Sequence, residues 1–169
     1  MAVHPVRYVP DPVLRQKAKR VPKVDASIRK LVADMIDSMY AARGVGLAAP
    51  QIGVSLRVVV IGMPEEEPFA IINPEIVKAT GERTVEEGCL SVPGYRAELT
   101  RHRVVVARGL DIEGKALRIK ARDDLLAQAL EHETDHVNGI LYIDHLPSLD
   151  SLVKIELEPE EDAGEPASA

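Results

Sequence analysis

The stretch from about Arg122 to Asn138 constrains this chain more than any other, because it reads as a helix whose buried side carries ionisable groups. Leu125, Ala129, His132 and His136 follow one another at steps of four, three and four, so they share one stripe of an α-helix. Leu126, Leu130, Glu133 and Val137 form the neighbouring stripe, which sets Glu133 beside the histidines in largely apolar company. An aspartate near the start and Gly139 at the end supply start and stop signals. Burying imidazoles and a carboxylate is costly unless they find partners, so the fold must bring such partners to this face.

The segment His132-Glu133-Thr134-Asp135-His136 is an H-E-x-x-H pattern. Residues four apart on a helix stand one above the other, so both imidazoles can grip one metal ion, with the intervening glutamate near the ion's open position as general acid and base. A catalytic centre of this kind takes three protein ligands and leaves one position for water. The third histidine of the extended H-E-x-x-H-x-x-G-x-x-H pattern would fall at position 142, which is Tyr142, so that arrangement is excluded. Glu156 has suitable spacing for a downstream carboxylate ligand and stays open as an alternative. The better third ligand is Cys89, the chain's only cysteine, in Glu87-Gly88-Cys89-Leu90-Ser91. A single cysteine forms no intramolecular disulfide, its thiolate is a strong ligand for iron or zinc, and Gly88 lets the backbone crowd close. The N–H of Leu90 is a further donor toward the centre.

Elsewhere, Ile28, Leu31, Val32, Met35, Ile36 and Met39 recur at three- and four-residue steps and predict an amphipathic helix over Asp25–Arg43, capped by Asp25 or Ser27 and ended by a left-handed Gly44. Strands are predicted at 56–61, 70–72, 76–80, 83–85, 98–107 and 116–119, with turns at Gly62-Met63-Pro64, Asn73-Pro74, Pro93-Gly94 and Asp111–Gly114. A short last helix is expected over 148–157. Strands flanked by helices, without βαβ alternation, mean an α+β fold. A catalytic domain over 1–155 and an acidic, disordered tail over 156–169 are the expected divisions.

The formal charge of −6 is misleading, since six acidic and no basic residues lie from Glu156 onward, leaving a body with 21 acidic against 21 basic side chains. No basic field exists to attract DNA. No apolar run approaches the roughly 20 residues of a membrane span, and the first residues resemble neither a secretion signal nor a transit peptide, so a cytoplasmic location is expected.

A third segment, Gly44-Val45-Gly46-Leu47-Ala48-Ala49-Pro50-Gln51, follows the first helix, with small residues that admit a substrate backbone and an amide, Gln51, able to donate to a developing oxyanion. Taken in order, Gly44–Gln51, Glu87–Ser91 and His132–His136 resemble the signatures of the peptide deformylases, and the likeness extends from about Tyr8 to Leu146 through Ile72-Asn73-Pro74-Glu75. The resemblance implies antiparallel and mixed β-sheets packed around a central metal-binding helix. It also implies removal of the formyl group from the N-terminal formylmethionine of nascent polypeptides, releasing formate. Metal-bound water would attack the formyl carbon with Glu133 as general acid and base, Gln51 and the Leu90 N–H would hold the oxyanion, and backbone groups of Val45 and Gly46 would pair with the peptide. Leu125, Ala129 and Arg96 are the candidates for the methionine pocket.

The metal set is Cys89, His132 and His136, holding one divalent ion: Fe2+ in the cell by the resemblance, Zn2+ by affinity order. Ribosome contact is expected to be transient, because family members dock through basic C-terminal segments and this chain ends acidic. Glu131 stands where the family carries glutamine, which would alter hydrogen bonding around the ligands. A protease-like hydrolase completed by Glu156, a metal-stabilised binding protein and a cysteine-nucleophile enzyme are the competing readings. His4, His102 and His145 have no partner pattern in the sequence.

Overall fold

Asp25 opens the first helix, α1 (Ala26–Ala41), by accepting the Ile28 N–H at 3.1 Å, one of the donors that a helix start leaves without an internal partner. The structure is a computed structural model and describes residues 2–155. The acidic segment 156–169 and the alternative ligand Glu156 lie outside the described residues. The predicted apolar face buries Ile28, Val32, Met35 and Met39. The helix ends differently from expectation: Arg43, not Gly44, takes the left-handed conformation at φ 59°. Gly44 instead lets Leu90 pack closely, since a Cβ there would lie 2.8 Å from Leu90 Cδ1 and displace that side chain.

Among the described residues, eight strands form two antiparallel sheets: β1 (Gly46–Ala48), β2 (Val58–Ile61), β3 (Phe69–Thr80), β6 (Val104–Leu110) and β7 (Ala116–Arg122) in that spatial order, and β4 (Arg83–Cys89), β5 (Val92–Arg101) and β8 (Val153–Lys154) in the other. The second helix, α2 (Leu125–Val137), is capped by Asp124, which accepts the Ala127 N–H at 2.8 Å, and Gly139 follows at φ 76°. Alternation along β2 separates two cores. Val58 and Val60 pack toward α1 with Ala70 and Ile72, while Val59 and Ile61 pack toward α2 with Ile71, Ala127 and Leu130. The α+β expectation of antiparallel sheets around the His132–His136 helix is therefore met. No described helix is long and apolar enough to cross a membrane.

Four local expectations are corrected. Asn73-Pro74 is not a turn, because β3 runs through it with a register shift between Ile72 and Glu75; Asn73 tolerates φ 55° and its side-chain amide bonds both backbone groups of Val21. Pro93-Gly94 lies inside β5, and the turn is instead the two-residue link Leu90-Ser91 that joins β4 to β5. The run 98–107 is two strands in different sheets, broken at His102-Arg103, where no glycine or proline marks the break. In place of a last helix, the chain makes a 3-10 turn at Leu149–Ser151 and then pairs β8 with Tyr95 and Arg96 of β5. The stripe Leu149, Leu152 and Val153 finds no core to cover along its length, since Leu149 and Val153 are both about 64% exposed while Leu152 packs against the cluster of Val92, Ala97 and Leu99.

Candidate active site

The tip of the β4–β5 hairpin leans over the face of α2, which brings residues 43 or more positions apart into contact. Cys89 Sγ lies 3.3 Å from His136 Nε2, and that atom lies 3.2 Å from His132 Nε2, with all three donor atoms within 4.8 Å of one another. Both histidines are buried. Glu87, two residues before Cys89 on the same strand, accepts a very short hydrogen bond from His132 Nδ1, so that the neutral ring would turn its Nε2 lone pair toward the centre.

Glu87 is itself held by Arg101, which is also buried. Arg101 Nε and Nη2 donate to its two carboxylate oxygens at 3.0 and 2.5 Å, and Nη1 reaches Asp135 at 2.8 Å. Asp135 then accepts from His145 Nε2 at 2.8 Å, so a chain of charged groups runs from His132 to the surface. Burial alone would raise the Glu87 pKa, but the hydrogen bonds from His132 and Arg101 prevail and hold it down at about 2. It is an anion at any ordinary pH.

Glu133 behaves in the opposite way. Burial among apolar side chains pushes its pKa up to about 7, where a carboxyl group can both take and give a proton near neutrality. Its Oε1 has no hydrogen-bond partner among the described residues, and neither has His136 Nδ1. Its Oε2 faces β1 so closely that a Cβ at Gly46 would stand 2.5 Å away, which explains why position 46 must be glycine.

Gln51 ends the link from β1. Its Oε1 accepts the Ala48 N–H at 2.9 Å, which orients the amide nitrogen toward Ser91 Oγ at 3.1 Å and Cys89 Sγ at 3.7 Å. Leu90 is the second residue of the tight turn Cys89–Val92, a position whose N–H the turn itself leaves free. The N-terminal arm ties these pieces together, with Arg7 N donating to Gln51 O at 2.6 Å and Val9 N to Ser91 O at 2.9 Å.

A cleft of about 670 Å³ opens over these groups, lined by Gln51, Cys89, Leu90, His132 and Glu133 and also by Val45, Gly46, Arg96, Leu125 and Ala129. All the candidate site residues named from the sequence thus meet here, with His136 directly behind. Two details differ in weight from expectation. The Val45 carbonyl already accepts the N–H of Gly62, just past the end of β2, at 2.9 Å, so by strand alternation it is Gly46 whose N–H and C=O face the open edge of β1. Arg96 is paired with Glu86 at 2.8 Å on the rim. Glu131 is engaged by the His102 N–H and Nδ1 at 2.9 and 2.8 Å, away from the three donor atoms.

Sequence reasoning assigned no role to Glu87, Arg101 or Ser91. A signal for Arg101 existed: Ala97, Leu99 and Arg101 alternate along β5 on one buried face, and an arginine in that phase requires an anionic partner.

A buried carboxyl group beside three convergent donors, on the lining of an open cleft, is equipment for adding water across an acyl bond, and fold and site together define a hydrolase. Residues 3–151 match the polypeptide deformylase family. A peptide deformylase of Dehalococcoides mccartyi is 58% identical over 156 residues, covering 92% of this chain and 93% of the relative. Among solved structures, the chain superposes on the crystal structure of a peptide deformylase from Legionella pneumophila with a TM-score of 0.85, 49% identity and 89% of both chains covered. The peptide deformylase from Ehrlichia chaffeensis in complex with actinonin gives a TM-score of 0.85 at 41% identity, over 89% of this chain and 92% of that one. The chain belongs to the polypeptide deformylase family.

Proposed function

We propose that this enzyme hydrolyses the N-formyl group of formylmethionine at the start of nascent polypeptides, in the cytoplasm, and that it uses one divalent metal ion held by Cys89, His132 and His136. The observation that carries the reading is the placement of the buried, unpartnered Glu133 carboxylate next to those three donor atoms.

The donors fit such an ion. The sulfur of Cys89 and the Nε2 of His132 stand 3.3 and 3.2 Å from His136 Nε2, with all three atoms within 4.8 Å of one another, and this thiolate–imidazole donor set would suit a divalent iron or zinc ion. The Glu87 carboxylate accepts the Nδ1–H of His132, the outer hydrogen bond that orients an imidazole whose other nitrogen would bind a metal. When bound, the ion supplies Lewis acidity, which lowers the pKa of water toward neutrality and polarises a carbonyl. Fe2+ is the proposed ion in the cell, and Zn2+ or another divalent metal can take its place in purified protein.

Glu133 takes a proton from the water that adds to the formyl carbon and returns it to the leaving nitrogen as the C–N bond breaks, giving formate and a free α-amine. Gln51 Nε2 and the Leu90 N–H donate to the oxygen that gains charge in between. Gly46 pairs with the substrate backbone as an added strand, and Leu125, Ala129 and the aliphatic stem of Arg96 wall the methionine side chain. Any ribosome contact is transient.

The test is an anaerobic formate-release assay on a formylmethionyl peptide, with metal analysis of the same preparation. Wild type is expected to release formate with close to one ion per chain, and Cys89→Ala to lose the ion. Full metal content in Cys89→Ala would refute the ligand set.

A further inference from the structure

The left-handed residue that ends α1 stands on the rim of the active cleft, and it is a cation. Arg43 N donates to Tyr40 O at 3.0 Å and Gly44 N to Met39 O at 2.9 Å, the paired bonds of a helix terminus that glycine ordinarily occupies. An arginine held at φ 59° pays a conformational penalty that glycine avoids, so something other than local backbone preference must account for it. The other cation of the cleft, Arg96, is neutralised by Glu86, and Arg101 is buried against Glu87 and Asp135. Arg43 is exposed, lines the cleft and makes no ion pair among the described residues.

The direction of a bound peptide follows from β1. Beyond Ala48 the strand is closed by the turn that carries Gln51, beside Cys89, so the formyl end lies there and the rest of the peptide runs back past Gly46 and Gly44. Arg43 lies just before β1, in the left-handed turn on the cleft rim past Gly44, and in an extended substrate the third side chain is the next after methionine on the same face, about 7 Å further along. Resting on the deformylase reading above, we propose that Arg43 is a specificity-determining residue that selects formyl-peptides with an acidic side chain at their third position.

The experiment compares kcat/KM for formyl-Met-Ala-Glu, formyl-Met-Ala-Gln and formyl-Met-Ala-Lys peptides, all amidated at the C-terminus, in the metal-loaded full-length enzyme. Wild type is expected to prefer Glu over Lys by about fivefold at low salt, with the preference fading at 0.5 M salt as charges at this exposed site are screened on the order of a few ångströms. Arg43→Glu should invert the order. Arg43→Gly should abolish the preference while raising Tm by about 2–4 °C, because glycine relieves the left-handed strain. An unchanged Glu-to-Lys ratio in Arg43→Glu, in an enzyme that still deformylates, would overturn the specificity role and leave the deformylase reading standing. No formate from any of the three peptides would overturn both.

Discussion

The two helices of this protein obey the same local rules and bury polar groups to opposite ends. Each begins at an aspartate cap, and each turns one face to the five-stranded sheet. The polar groups that α1 buries, Asp34 and Ser38, are fully engaged. Asp34 accepts from Ala2 N at 2.8 Å, His4 Nε2 at 3.2 Å and Lys30 Nζ at 2.9 Å, and Ser38 Oγ accepts from His4 N at 2.8 Å. They fasten the N-terminal arm. On α2 the buried His132 and His136 converge with Cys89 on one point beside the buried Glu133, and Glu133 Oε1 and His136 Nδ1 have no partners among the described residues. Buried polarity that is satisfied builds structure, whereas buried polarity left partly unsatisfied around a cleft is reserved for something that binds there.

Substitutions can break this contrast. The largest effect is expected for Glu133→Ala, which should lower kcat for formate release by about 10²- to 10⁴-fold while metal content and fold persist, as general acid–base groups generally do. Retained activity with bound metal would move the proton transfer elsewhere. Next, Arg101→Met removes one partner of a buried ion pair and should destabilise the protein by about 3–5 kcal/mol in urea unfolding. The freed Glu87 would also hold His132 less well, so metal affinity in a chelator competition should weaken by about 10- to 100-fold.

Met39→Ala, on the fully buried face of α1, should cost a comparable or smaller amount, about 2–5 kcal/mol, by leaving a cavity. Here metal affinity should stay as in wild type. A chelator competition that showed equal weakening in Met39→Ala and Arg101→Met would dissolve the distinction between the two helices.

The mildest effect is a response to acid. Hydrogen bonding by Lys30 first, then by the Ala2 N–H and His4, holds the Asp34 carboxyl well below its usual range. A depressed carboxylate pKa gives stability that is full above about pH 4 and drains away as pH falls toward the folded-state value. The protection of the amides in residues 2–9, taken relative to their intrinsic exchange rate at each pH, should therefore fall below pH 4 before that of α2 does, and Asp34→Asn should show the lower protection already at neutral pH. Arm protection that stays the same across this pH range would separate Asp34 from the anchoring of the arm.

Much of this was legible in the chain itself. The four-residue step between His132 and His136, the caps at Asp25 and Asp124, and the alternation along β2 are local periodicities, and local periodicities survive folding because they only require each element to present one face. The strand breaks were harder to read. Asn73-Pro74 looked like a turn, yet the long-range bonds of Asn73 to Val21 keep β3 continuous, and β5 parts from β6 with no breaking residue because the two strands join different sheets.

The order of residues alone determined which groups could meet: two imidazoles and a carboxylate on one helix, a single thiol after a glycine, and an amide after a run of small residues. Only the tertiary structure decided how each is held. Nothing in the spacing of positions 87, 101 and 135 requires their charges to interlock, and nothing at position 43 announces a left-handed arginine on the cleft rim. The physical reason is that local pattern fixes the side of an element on which a residue lies, while desolvation, charge pairing and strain depend on what distant parts of the chain place against it.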